Sequence, residues 1–123
     1  MTFAVRSSVN QEKVDLAKRL DELAAFHGAT CTHRGDYPAW EYKKDSDLRD
    51  TMVQVYEEMY GEKPAVQAIH AGLECGLLSE KIPGLDCISF GPTAYDIHTP
   101  AERLSITSAI KVFGLICNTL SKL

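Results

Sequence analysis

Segments with helical spacing alternate with segments of strand character along this chain, and the strands are too few to close a sheet by themselves. Phe3–Val9 alternates apolar with small or polar residues and predicts a strand. Asn10 is a good helix cap, and Val14, Leu16, Ala17, Leu20, Leu23, Ala24 and Phe26 recur behind it at helical spacing. Gly28 supplies a left-handed position for the helix end, and Thr30–Arg34 predicts a second strand closed by Gly35-Asp36-Tyr37-Pro38. Turn formers and charges then replace apolar periodicity over Glu41–Asp47, which places a boundary near residue 44. Beyond it, Ser46 or Asp47 caps a helix carrying Leu48, Met52, Val55, Tyr56 and Met59, stopped by Gly61 and Pro64. A strand at Ala65–Ile69, a short helix from Gly72 to Leu78 and a strand at Leu85–Phe90 follow. Ile106–Leu120 predicts a final amphipathic helix with Ser105 or Thr107 as its cap. The expected class is α/β: a β-α-β unit over 1–44, then α-β-α-β-α over 45–123. Two strands in each part leave apolar faces and edges uncovered, so a second copy or further chain should complete the sheet.

Composition limits the alternatives. In 123 residues, 45% are hydrophobic and 24% charged, as in a folded domain, and the length allows a real core. A net charge of −4 argues against nucleic-acid binding, which needs a clustered basic surface. No segment approaches the roughly 20 apolar residues of a membrane span. The amino-terminal residues show no signal-peptide pattern, and Cys31, Cys75, Cys87 and Cys117 are scattered without a paired motif. They read as free thiols in a reducing cytoplasm.

Few residues propose chemistry from local pattern. His98, in Ile97-His98-Thr99-Pro100, follows a strand and a Gly-Pro turn, where an imidazole can meet a metal or substrate or simply lie on the surface. His70-Ala71-Gly72-Leu73-Glu74-Cys75-Gly76 joins a strand end to a helix start. Gly72 there allows a ligand close to the backbone, and Glu74 suits the first turn of a helix without any further role. Thr99-Pro100-Ala101-Glu102 fits a capping box. Arg6 could grip a carboxylate through two parallel hydrogen bonds or project into solvent. A zinc set of Cys31, His33, His70 and Cys75 matches no standard spacing. No nucleophile–histidine arrangement is present in the pattern.

Three of these segments, His70–Gly76, Ser89-Phe90-Gly91-Pro92 and His98-Thr99-Pro100-Ala101-Glu102-Arg103, resemble in order and spacing the carboxyl-terminal end of the aminoacyl-histidine (Xaa-His) dipeptidases of the M20 metallopeptidases. Phe3–Val9, the helix behind it and Gly35-Asp36-Tyr37-Pro38-Ala39-Trp40 resemble the last part of that family's lid domain. The resemblance implies a zinc-aminopeptidase-like catalytic domain with an inserted lid. It also implies a hydrolytic site with two zinc ions and a bridging water deprotonated by a glutamate. By motif position, it makes His98 the last metal ligand. It sets the Gly72 backbone against the substrate, gives Arg6 the dipeptide's carboxylate, and assigns Glu74 no catalytic step.

Family members are several times longer, and their remaining ligands and catalytic glutamate belong to an amino-terminal half with no counterpart here. Glu57-Glu58 is a carboxylate pair, but in a helical context. A catalytic zinc takes three protein ligands, so one matched histidine predicts a chain that is inactive alone, with no catalytic residue of its own. The expected organisation is 1–44 from the lid and 45–123 from the catalytic domain of a cytoplasmic dipeptidase. Its partners would be a dipeptide and either a second copy or the amino-terminal half. The competing expectation is a non-catalytic α/β binding or assembly module derived from the same fold.

Overall fold

The computed structural model describes residues 1–69 and 73–123. Four helices and one short hairpin are formed among them: α1 (Asn10–Phe26), α2 (Asp47–Tyr60), α3 (Glu74–Lys81), β1 (Ala94–Tyr95), β2 (Arg103–Leu104) and α4 (Ile106–Leu120). The fold is mixed α/β, with a small antiparallel hairpin among helices. Two compact units divide the chain, one of Met1–Lys44 with Gln67–Leu85, the other of Asp45–Val66 with Asp86–Leu123.

In the first unit, α1 begins one residue earlier than its sequence suggests. Val9 occupies the cap position and makes no side-chain cap bond. Asn10 is instead the first helical residue, and its Oδ1 accepts a hydrogen bond from the Ala39 amide at 2.8 Å. The Asn10 side chain thus ties the helix start to the Gly35–Trp40 segment rather than to its own backbone. The other end closes as expected for a glycine in the left-handed region. Gly28 has φ +68°, the Ala29 amide donates to Ala24 O at 2.8 Å, and the Gly28 amide donates to Ala25 O at 3.0 Å. These two bonds satisfy carbonyls that the helix end would leave without donors. Lys13 reaches from α1 to Asp36 Oδ1 at 2.7 Å and to the Tyr37 carbonyl at 2.6 Å. Gly76 of α3 is buried against the same segment, and a Cβ there would stand 2.8 Å from the Pro38 carbonyl oxygen. Glycine is needed at that position for the helix to approach the backbone.

In the second unit, α2 and α4 pack together. Ser46 caps α2: its Oγ accepts from the Arg49 amide at 3.1 Å and donates to Asp86 Oδ1 at 2.7 Å. Asp86 Oδ2 accepts from the Leu48 amide at 3.3 Å. Gly61, at φ +76°, ends α2 by donating to Glu57 O. Ser105 caps α4 by accepting from the Ser108 amide at 3.3 Å. Val55 of α2 and Leu115 of α4 are buried, Met59 lies against Gly114, and the Tyr60 hydroxyl donates to the Lys111 carbonyl at 3.2 Å. An apolar cleft of about 200 Å³ opens in this unit beside Leu48, Met52, Ile88, Phe90, Ile116 and Leu120.

Two expectations need correction. None of Phe3–Val9, Thr30–Arg34, Ala65–Ile69 or Leu85–Phe90 forms a ladder among the described residues, and the paired strands are β1 and β2. A strand is held by its neighbours' hydrogen bonds, and these segments have no neighbouring strand within the described chain. The core is also smaller than the length allows: among the described residues, Val55 and Leu115 are the buried hydrophobic side chains. On α4, Ile106, Ile110, Phe113, Cys117 and Leu120 follow one another at alternating spacings of four and three. All are exposed, Ile106 and Phe113 by 77% and 69%.

Candidate functional site

His98 sits in the loop between β1 and β2, residues 96–102, in the second unit. The hairpin base pairs Ala94 with Leu104 and Tyr95 with Arg103. The loop then turns through two non-glycine residues of positive φ, Asp96 at 51° and His98 at 66°. Such conformations are uncommon outside glycine, with Asn, Asp and His the most tolerant.

Local hydrogen bonds define the turn. Thr99 donates twice to the Asp96 carbonyl, from its amide at 3.2 Å and from Oγ1 at 2.7 Å. Thr99 Oγ1 in turn accepts from the Ala101 amide at 3.2 Å, and the Glu102 amide donates to Thr99 O at 3.1 Å. The Glu102 carboxylate reaches back to the His98 amide, which donates to Oε2 at 3.1 Å. Below the turn, Arg103 Nη1 pairs with Asp96 Oδ2 at 2.8 Å and its guanidinium lies 5.1 Å from the centre of the Tyr95 ring. The capping-box reading of Thr99–Glu102 is therefore corrected. Thr99 and Glu102 bond within a hairpin loop, and the helix starts later, at Ile106 with Ser105 as its cap.

The other expected site residues are placed less closely. Arg6, in the first unit, is exposed, and no hydrogen bond or ion pair engages it among the described residues. Gly72 and His70 lie outside the described residues. Glu74 is the first residue of α3 and exposed, as its first-turn role suggests. His33 pairs with Asp21 at 2.8 Å, and Cys31 approaches the Leu20 carbonyl at 3.7 Å. Desolvation, aided by the Asp21 carboxylate, pushes the Cys31 thiol up from its ordinary value.

A hydrolytic zinc takes three protein ligands in tetrahedral array. Among the described residues, no three of His, Cys, Asp and Glu stand close enough to hold a metal ion. His98 is an exposed imidazole that belongs to no such group of three, so these residues do not by themselves fit a metal centre. No helix among them is long and apolar enough to cross a membrane. Asp96 and Arg103 are the site residues that sequence spacing left unassigned. Their signal was position: they flank His98 at the two ends of one hairpin, with an aspartate where a left-handed residue is tolerated.

Residues 6–122 match Peptidase family M20/M25/M40, and the chain belongs to that family. It is 32% identical over 119 residues, 97% of its length, to the cytosol non-specific dipeptidase of Escherichia coli (strain K12). It also superimposes on the aminoacylhistidine dipeptidase of Vibrio alginolyticus with a TM-score of 0.83 and 33% identity, over 95% of this chain. The chain spans 24% of the length of each of these relatives.

Proposed function

We propose that this chain supplies the carboxyl-terminal portion of a zinc-dependent, cytoplasmic dipeptidase that hydrolyses Xaa-His and other dipeptides, and that it is inactive alone. The observation that carries this reading is the match over 95% of the chain, at 33% identity, to an aminoacylhistidine dipeptidase of about four times its length. In that reading 1–44 closes the lid and 45–123 closes the catalytic domain. His98 provides one metal ligand, the Gly72 backbone lies against the substrate, and Arg6 binds the dipeptide's carboxylate. A charge-assisted contact of that kind is worth about 1.5–3 kcal/mol. The other ligands and the catalytic carboxylate come from further polypeptide.

Surface area supports the need for that polypeptide. The chain exposes 9610 Å². Two separate globules of half its mass would together expose about 7,900 Å². The chain exceeds that by about 1,700 Å². The uncovered α4 stripe makes self-association the alternative way to cover it, and an assembly module the second functional reading.

Reconstitution tests both. The 123-residue chain is mixed with the amino-terminal three quarters of the E. coli relative, and hydrolysis of an Xaa-His dipeptide is followed by chromatography with and without a chelator. The expected result is no turnover by the chain alone and chelator-sensitive turnover by the mixture. That turnover should be abolished by His98→Ala and shifted to higher KM by Arg6→Ala. Turnover by the chain alone refutes its incompleteness. A stable complex without turnover refutes the dipeptidase reading and leaves the assembly module.

A further inference from the structure

The β1–β2 loop holds its histidine in an unusual way. His98 has φ +66° although glycine would take that conformation without strain, and Asp96, two residues earlier, has φ +51°. Each of the two is restrained by a charged partner from the far end of the loop. The His98 amide donates to the Glu102 carboxylate at 3.1 Å, and the Asp96 carboxylate is paired with Arg103 at 2.8 Å. Pro100 fixes its own φ and disfavours helical geometry at Thr99, which limits the routes by which the turn could relax. A strained backbone persists only where its surroundings over-determine it, and such residues cluster where a side chain must be aimed.

We infer that Glu102 is a positioning residue for His98, its carboxylate fixing the left-handed backbone from which the imidazole projects, with the Asp96–Arg103 pair bracing the opposite side of the turn. Glu102 acts on the amide, not on the ring, so it leaves both imidazole nitrogens free for other partners. A carboxylate suits this task because a hydrogen bond to a charged acceptor is roughly twice as strong as a neutral one. The inference rests on the proposed ligand role of His98 for its purpose, but its geometry stands without a metal.

The test uses the whole 123-residue chain, isotopically labelled, in solution without metal. Positive φ brings a residue's own amide proton close to its Hα and gives a strong intraresidue cross-peak in NMR spectra. In the unmodified chain His98 should show that signature. Glu102→Gln, which keeps an acceptor oxygen, should retain it, and Glu102→Ala should lose it. Signals of α4 serve as the check that each variant is folded. An ordinary negative φ at His98 in the unmodified chain overturns the inference without any variant. So does an unchanged signature in a folded Glu102→Ala chain, or its loss in a folded Glu102→Gln chain. These failures leave the ligand reading standing. Conversely, a reconstituted mixture whose chelator-sensitive turnover survives His98→Ala refutes the ligand reading and leaves the loop geometry intact.

Discussion

Two helical glycines offer the same substitution with opposite expected signs. Replacing glycine by alanine inside a helix gains up to about 1 kcal/mol, since alanine loses less backbone entropy and covers the helix better. At Gly114 of α4, the new Cβ would meet Met59 Cε at 3.6 Å, an ordinary contact with the flexible end of a side chain. The gain is kept, and Gly114→Ala should stabilise by about 1 kcal/mol. At Gly76 of α3 the new Cβ would stand 2.8 Å from the Pro38 carbonyl oxygen. That oxygen cannot swing aside as a side chain can, because the adjoining Ala39 amide is tied to Asn10 Oδ1 at 2.8 Å. Forcing atoms into a filled site costs about 1–3 kcal/mol, which offsets or outweighs the helix gain. Gly76→Ala should therefore destabilise by a net of up to about 2 kcal/mol. Urea unfolding measures both. Far-UV ellipticity reports the helices, and the single tryptophan, Trp40, reports the first unit to which Gly76 belongs. With a slope near 1 kcal/mol per molar urea, the midpoints should move by about 1 M upward for Gly114→Ala and by up to about 2 M downward for Gly76→Ala. A Gly76→Ala chain stabilised as Gly114→Ala is would refute the close approach of α3 to Pro38, and a destabilising Gly114→Ala would refute the α2–α4 packing at Met59.

Ser46→Ala removes a helix cap worth about 1 kcal/mol and a hydroxyl that donates to a carboxylate, worth about 1.5 kcal/mol or more. The expected loss is therefore about 2–3 kcal/mol in the same urea assay, with an effect below about 0.5 kcal/mol contradicting the Ser46–Asp86 bond. His98→Gly relieves a left-handed residue and should raise the unfolding midpoint, whereas His98→Ala should not, since alanine is strained at the same φ. Acid titration should find the Asp36 carboxyl below its ordinary 3.8, first because Lys13 Nζ hydrogen-bonds it and second through the ammonium charge. A depressed carboxyl contributes stability that is present above its ordinary value and lost as pH falls through the lower folded one. Lys13→Met should return the Asp36 titration to the usual range by carboxyl-carbon NMR, and should remove that segment of the acid dependence.

What sequence made legible follows the range of the forces involved. The span Ile106–Leu120 and the glycine ends at Gly28 and Gly61 are set by residues within a turn or two and are found where spacing puts them, and of the cap candidates Ser46 or Asp47 and Ser105 or Thr107 the two serines take the caps. Asn10 shows the limit of such rules. Its side chain suits a cap, yet a backbone amide 29 residues away, at Ala39, holds it instead. The strand periodicity of Phe3–Val9 and Leu85–Phe90 likewise describes a surface suited to a sheet, while the ladder depends on neighbours that these segments lack among the described residues. At the candidate site, the motif singled out His98. The bonds that shape its loop ran against the capping-box reading, because a Thr-x-x-Glu pattern bonds equally well inside a turn when the chain reverses into β2 rather than entering a helix.

In the proposed reading, that distinction explains how an incomplete site can still carry an ordered component. A metal centre is non-local, and its ligands converge only when distant segments are packed. The orientation of His98 is local. Glu102 is four residues away and the Asp96–Arg103 pair closes the same loop, so the contacts that impose the left-handed backbone are all available within the hairpin. Among the described residues, Asp96 and His98 are the non-glycine positions with positive φ. Each such position costs on the order of 1–3 kcal/mol, a large fraction of the stability of a small domain. A loop that bears this cost has its histidine arranged in advance. In the proposed reading, the remaining polypeptide would then meet a fixed His98 and lose less entropy on assembling the site than if it had to order the loop as well. Loosening the turn with Glu102→Ala should accordingly weaken metal binding by the reconstituted protein about 10- to 100-fold, the usual effect of losing a residue that orients a ligand. Chelator competition measures it, and unchanged affinity would show that the assembled site orders His98 without help from Glu102.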